Sequence, residues 1–225
     1  MTDEFMQQLK PEKPESRYSP LRLVGILSLI AFVTVLIIVG TFTRLKVINC
    51  FHFIEVMMHP ALFSEGEMFA LKAYFYAPQI PVILFSVALL GTACSLTSVL
   101  LYIIIGLTLM PVFALGGGLN YIFEPTFGYI LACLPAVLIA GFLIDKDHSV
   151  FSLLKAAFFG VLTVHVLGFV YMLLVAVIRH ENFTYIIDWL LFESVIKSVY
   201  DFSIGFLLML VAKFFRKFIW ILTSI

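Results

Sequence analysis

Apolar residues run along this chain in long unbroken blocks, not in the stripe of a surface helix or the alternation of a half-buried strand. The stretches 23–43, 125–144 and 156–178 contain no Asp, Glu, Lys or Arg, and none occurs between Lys72 and Glu124. Each block approaches or exceeds the ~20 residues that cross a ~30 Å hydrocarbon core. The pattern predicts an all-α integral membrane protein: six transmembrane helices in a compact bundle, with a Gly-rich outer loop between helices 3 and 4. The spans fall at about 21–43, 79–96, 97–112, 126–144, 153–178 and 196–217, within a single membrane domain 21–225. The second and third are divided at the polar interruption "CSLTS" (94–98). Residues 1–20, "MTDEFMQQLKPEKPESRYSP", read as a disordered cytoplasmic tail.

Composition removes the soluble alternatives. Of the 225 residues 62% are hydrophobic and 12% charged, too little charge to clothe a soluble domain of this size. The first apolar run is longer than a signal-peptide core and has no small-residue cleavage pattern, so it reads as a retained span. Formal net charge is zero and no basic stripe is present, so nucleic acid is not an expected partner. Three scattered cysteines suggest neither a disulfide frame nor a zinc site, and the five histidines show no metal-binding spacing.

Lys and Arg in the short connections set the orientation. With both termini cytoplasmic, the inner set is Lys10, Lys13, Arg17, Arg22, Lys146, Lys155, Lys213, Arg216 and Lys217; the outer set is Arg44, Lys46, Lys72, Arg179 and Lys197. That orientation puts the glycines of "PVFALGGGLNYIFEPTFGY" (111–129) on the outer side. The segment 44–78, also outer, is long and semi-apolar, and reads as lying on the membrane surface or folding back over the bundle. The basic, aromatic ending Lys213, Arg216, Lys217 and Trp220 reads as a contact with anionic membrane lipid.

Several residues break the apolar pattern in ways that bear on function. Gly116, Gly117 and Gly118 allow a sharp turn or bring backbone amides close to a ligand. Thr126, after Pro125, is placed to cap the fourth span, whose first amides would then face the same loop. Gly128, Ala132, Ala136 and Ala140 form one small stripe on that span, suited to internal packing or to docking another subunit. Asp201 falls near membrane depth, about 18 Å from Lys213 along the last helix. It is a candidate ligand contact, or else a partner of Lys197. His165 is the other intramembrane polar group, either a hydrogen-bonded structural residue or a ligand contact.

The stretch "LLYIIIGLTLMPVFALGGGLNYIFEPTFGYILACLPAVLIAGFL" (100–143) resembles the BioY family of biotin transporters. The likeness rests on Tyr102, Gly106, Pro111, Val112, Phe113, Gly116 to Gly118, Pro125, Thr126, Gly128 and Tyr129. It extends upstream to "PQIPVILFSVALLG" (78–91) and "GTF" (40–42), and downstream to His165, Gly168 and Tyr171. The resemblance implies a six-helix substrate-binding component of an energy-coupling factor transporter in a bacterial cytoplasmic membrane. Biotin would be its transported ligand, with no cofactor. Its partners would be a transmembrane coupling subunit and a pair of ATPases. With no G-x-x-x-x-G-K-[ST] loop, the chain is not expected to hydrolyse ATP itself.

Under this reading the amides of Gly116 to Gly118 and the Thr126 helix start hold one polar end of biotin, and Asp201 accepts from the ureido N–H groups. Asn120 and Tyr129 donate to the ureido oxygen, while Phe113, Tyr102 and Tyr121 enclose the apolar middle. Two departures from the family are visible. Its Asp-x-x-Lys pair in the last span becomes "DFSI" with Asp201 or, in a shifted register, "SVIK" with Lys197. The first span lacks the family's Ala-x-x-x-Ala docking pattern, with Gly25, Ser28 and Ala31 as its small residues. The incomplete pair leaves another small vitamin as an alternative ligand. An intramembrane enzyme using Asp201 and His165, or an accessory subunit without a ligand, are readings of a different class.

Overall fold

A computed structural model describes residues 20–48, 52, 56–57, 73–145 and 147–223. The tail expected over 1–20, apart from Pro20, lies outside the described residues, as does most of the outer segment 44–78.

The described chain is a helical bundle. Helix α1 (Pro20–Phe42) leads into strand β1 (Leu45–Ile48), and strand β2 (Ala73–Tyr76) leads into α2 (Gln79–Leu90). Then come α3 (Thr92–Thr108), a 3-10 turn (Leu119–Phe123), α4 (Phe127–Asp145) and α5 (Val150–Ile178). The last stretch is continuous: α6 (Phe183–Trp189), a π-helical segment (Leu190–Ile196) and α7 (Lys197–Thr223). Four helical stretches are long and apolar enough to cross a membrane; α2 and α3 are apolar but shorter. Their lipid-facing surfaces carry exposed Phe142, Leu174, Val177 and Leu207, a covering that a bilayer satisfies and water does not.

Two features differ from the sequence-based expectation. The break between the second and third helices falls at Gly91, not at 94–98. Gly91 has φ 85° and ψ 176°, a conformation essentially restricted to glycine. The stretch "CSLTS" stays helical: Thr97 Oγ1 donates to Ala93 O at 2.9 Å, and Ser98 Oγ donates to Cys94 O at 3.0 Å and lies 3.2 Å from Ile30 O of α1. The second difference is a short antiparallel ladder, β1 against β2, in the register Leu45↔Tyr76 to Ile48↔Ala73. With two residues between each strand and its helix, it ties the end of α1 to the start of α2.

Small residues set the helix spacing. A Cβ on Gly128 would lie 2.3 Å from Tyr171, and one on Gly168 would lie 2.5 Å from Tyr129, so α4 and α5 touch through reciprocal glycine–tyrosine contacts. Ala132, Ala136 and Ala140 are buried on the same interface, where Gly160 of α5 faces Ala140 and the Ala136 carbonyl. The stripe expected to serve either packing or subunit docking is thus covered by α5. The close approach of α4 and α5 at Gly128, Ala136 and Ala140 favours the packing role of the stripe Gly128, Ala132, Ala136 and Ala140 over the docking role. Elsewhere α7 passes α2 at Gly205, whose Cβ would meet Leu84 at 3.0 Å.

Candidate functional site

The end of α1, the start of α2, the loop after α3, the start of α4 and the π-helical segment converge at one end of the bundle. They enclose a cavity of about 90 Å³. Thr41, Ala77, Gln79 and Ile80 form one wall; Ala114, Tyr121 and Thr126 come from the loop and the approach to α4. Tyr129, Ile130 and Cys133 line it from α4, and Trp189, Glu193 and Lys197 from the final helical stretch.

The loop from Leu109 to Thr126 is held by its own backbone. Phe113 N–H donates to Gly116 O and Gly116 N–H to Phe113 O, at 2.9 and 3.0 Å, while Gly118 N–H donates to Gly106 O at 2.8 Å. A Cβ on Gly117 would lie 2.7 Å from both Gly106 O and Pro111 Cα, so the triple glycine lets the loop press onto the end of α3. The Gly116 and Gly118 amides, expected to face a ligand, donate to carbonyls of the chain itself. Phe113 is likewise internal. Its ring sits over Gly106 and packs against Tyr102, Tyr121 and Phe127 with centroids 5.3, 4.6 and 6.2 Å away. Tyr102 is buried with its hydroxyl 3.2 Å from Thr41 Oγ1, so it supports the wall from behind. Asn120 is exposed and does not line the cavity.

Of the other expected residues, Tyr121, Thr126 and Tyr129 do line the cavity. Tyr121 Oη and Thr126 Oγ1 are 2.9 Å apart, and burial pushes the Tyr121 phenol above its ordinary pKa, keeping this hydrogen bond between neutral groups. The Tyr129 hydroxyl meets Ser194 Oγ at 2.5 Å and accepts from Trp189 Nε1 at 3.1 Å. That pair of bonds fixes the π-helical segment against α4.

Asp201 and His165 lie behind this layer. Asp201 is fully buried; Tyr76 Oη donates to its Oδ1 at 2.5 Å, and His165 Nε2 stands 2.9 Å from its Oδ2. Neither residue lines the cavity. Lys197 Nζ, the alternative partner expected for Asp201, lies 3.5 Å from Glu193 Oε2.

Sequence reasoning missed three polar groups at this site, Gln79, Trp189 and Glu193, and raised a fourth, Lys197, only as an alternative. The signal for Lys197 was the "SVIK" register, whose Lys197 reaches the cavity while its Ser194 bonds Tyr129. Gln79 had no signal in the sequence. Its Nε2 is buried with no hydrogen-bond partner among the described residues, which is costly unless something else accepts that proton.

The sequence profile of the BioY family matches residues 69–217, about two thirds of the chain. The chain belongs to the BioY family. A Lysinibacillus sphaericus protein described as "Probable biotin transporter BioY" is 42% identical over 71 residues, covering 32% of this chain and 36% of that protein. The chain thus spans about a third of the length of that curated relative. In fold, it is similar to a crystal structure of the S component for biotin from an ECF-type ABC transporter. The TM-score is 0.64 at 20% identity, covering 89% of this chain and 95% of that one. Within the BioY match lie the glycine loop, the start of α4 and the π-helical segment, that is, nearly every element that walls the cavity.

Proposed function

We propose that this chain takes up biotin across a bacterial cytoplasmic membrane as the substrate-binding component of an energy-coupling transporter. Membership of a transporter family makes it a transporter protein and not an enzyme. In this reading the chain crosses the membrane six times, with α2 and α3 as the short spans, both termini are cytoplasmic, and the cavity opens outward. It works with a transmembrane coupling subunit and an ATPase pair, and it uses no cofactor.

The observation that carries the reading is the match between the cavity's chemistry and the three parts of biotin. Lys197 offers a cation to the carboxylate, which competes with Glu193 for it. The unspent Gln79 amide and the hydroxyls of Thr126 and Tyr129 suit the ureido head, which carries both donors and an acceptor. Trp189, Tyr121, Ile80 and Ile130 give an apolar sleeve for the thioether ring and chain. A pocket that encloses a small ligand commonly measures ~300–1,000 Å³, against about 90 Å³ here. Binding therefore moves the partly exposed Trp189, Glu193 and Lys197 outward.

Equilibrium binding of labelled biotin to the purified chain in detergent tests this. Saturable binding without partner subunits supports the assignment; its absence in folded protein rules biotin out. The replacement of the family's acid by Ser194 in the "SVIK" register favours a second reading, in which a related small vitamin is the ligand. Competition by a panel of unlabelled vitamins separates the two.

A further inference from the structure

Three distant parts of the chain meet at one buried carboxylate. Tyr76 comes from β2, His165 from α5 and Asp201 from α7, and the side chains of all three are at least nine-tenths buried. A carboxylate taken out of water at this depth needs strong donors to remain in place. It has two, the Tyr76 hydroxyl on one oxygen and His165 Nε2 on the other. His165 donates from Nε2 in its Nε2-protonated neutral tautomer and as the imidazolium alike. Deleting either donor leaves a buried oxygen short of a partner, so the joint acts as a unit.

Each arm of the joint reaches a cavity wall. Tyr76 directly precedes Ala77, and Gln79 and Ile80 follow, all three in the lining. Asp201 lies one helical turn beyond Lys197. The His165 ring stands edge-on to Tyr129, centroids 5.8 Å apart. None of the three joint residues lines the cavity. We propose that Tyr76, Asp201 and His165 are positioning residues that hold the Ala77–Ile80 wall at a set distance from the Tyr129–Lys197 wall. Ligand release then requires this joint to loosen. The proposal rests on the ligand-site reading above, but the joint itself is testable without any ligand.

The experiment uses the full chain in detergent, with Tyr76→Phe, Asp201→Ala and the double variant. In the ligand-free arm a cysteine is placed at Ala77, in a background with Cys50, Cys94 and Cys133 replaced by Ser or Ala, and its maleimide labelling rate is measured. Tyr76→Phe, which loses one hydrogen bond to the carboxylate, should raise that rate roughly tenfold, and Asp201→Ala, which loses both, should raise it further. The double variant should be no faster than Asp201→Ala, because both changes break the same joint. In the ligand arm, biotin dissociation should accelerate in the same order while association changes little. Unchanged labelling in folded Tyr76→Phe protein overturns the joint, as do additive effects in the double variant. Faster labelling together with no biotin binding by the unmodified chain would keep the joint and overturn the biotin reading.

Discussion

Lys197 and Glu193 stand one helical turn apart with Nζ and Oε2 separated by 3.5 Å, and both side chains line the cavity. A cation already shared with a carboxylate is a weaker attractor for an acidic ligand than the same cation alone. Glu193→Gln should therefore tighten binding of a ligand carboxylate several-fold, and Lys197→Ala should weaken it by about tenfold or more. Titration of labelled biotin at low and at high salt checks this. The Lys197 contribution should shrink at high salt only as far as the cavity admits ions. An affinity indifferent to both substitutions would place the carboxylate elsewhere.

Gln79 makes a prediction in which stability and affinity move in opposite directions. Its Nε2 is buried without a partner among the described residues, a situation that costs about 1–3 kcal/mol. Gln79→Leu removes that cost and should leave the thermal midpoint in detergent unchanged or raise it. Biotin affinity should fall about tenfold, since the ligand loses an amide donor. If the variant instead melts earlier with affinity intact, the amide serves the fold.

Gly117 tests the architecture of the loop. The nearest atoms to an added Cβ are backbone, Gly106 O and Pro111 Cα at 2.7 Å, and neither can step aside like a flexible side chain. Gly117→Ala should destabilise by about 1–3 kcal/mol and lower ligand affinity with it, because displacement of the loop shifts Ala114 and Tyr121. Parallel thermal melts and binding titrations would show the two losses together. Loss of binding with an unchanged melt would point to an amide contact with the ligand.

The elements legible in the sequence were those set by composition. Uncharged blocks of 20 or more residues have little choice in a bilayer, and the expected 126–144 corresponds to Phe127–Asp145, the expected 153–178 to Val150–Ile178. The Gly91 break was hidden because one glycine in an apolar run signals close packing as readily as a turn, while "CSLTS" looked like a boundary and instead continues α3, with Thr97 and Ser98 bonding carbonyls one turn back. The β1–β2 ladder was invisible for a similar reason, since each strand has four residues and only pairing across a long connection makes it a structure. Within the site, Tyr121, Thr126 and Tyr129 were found because they sit in one dense motif. Gln79 and Trp189 reach the cavity from separate elements, and nothing in their local sequence distinguishes them from residues facing lipid. Asp201 stood out as a charge within an apolar run, but sequence spacing pointed to Lys197, and only the fold reveals Tyr76, 125 positions away.

The α4–α5 seam separates a packing role from a docking role for the small stripe. Ala136 is almost fully buried, and its carbonyl would lie 3.9 Å from a Cβ added at Gly160 of α5. Replacing Ala136 with Leu therefore forces a larger side chain into a position that is already almost fully buried. Overpacking of this kind costs about 1–3 kcal/mol. Reciprocal contacts at Gly128–Tyr171 and Gly168–Tyr129 on the same seam should transmit the strain toward the cavity. The purified Ala136→Leu chain should thus melt earlier and bind biotin more weakly in the absence of any other subunit. A variant with unchanged melting and unchanged binding, defective only when mixed with a coupling subunit, would return the stripe to the docking surface. A substitution at lipid-facing Phe142 on α4, such as Phe142→Leu, is the control: it should leave both the melt and the binding near those of the unmodified chain.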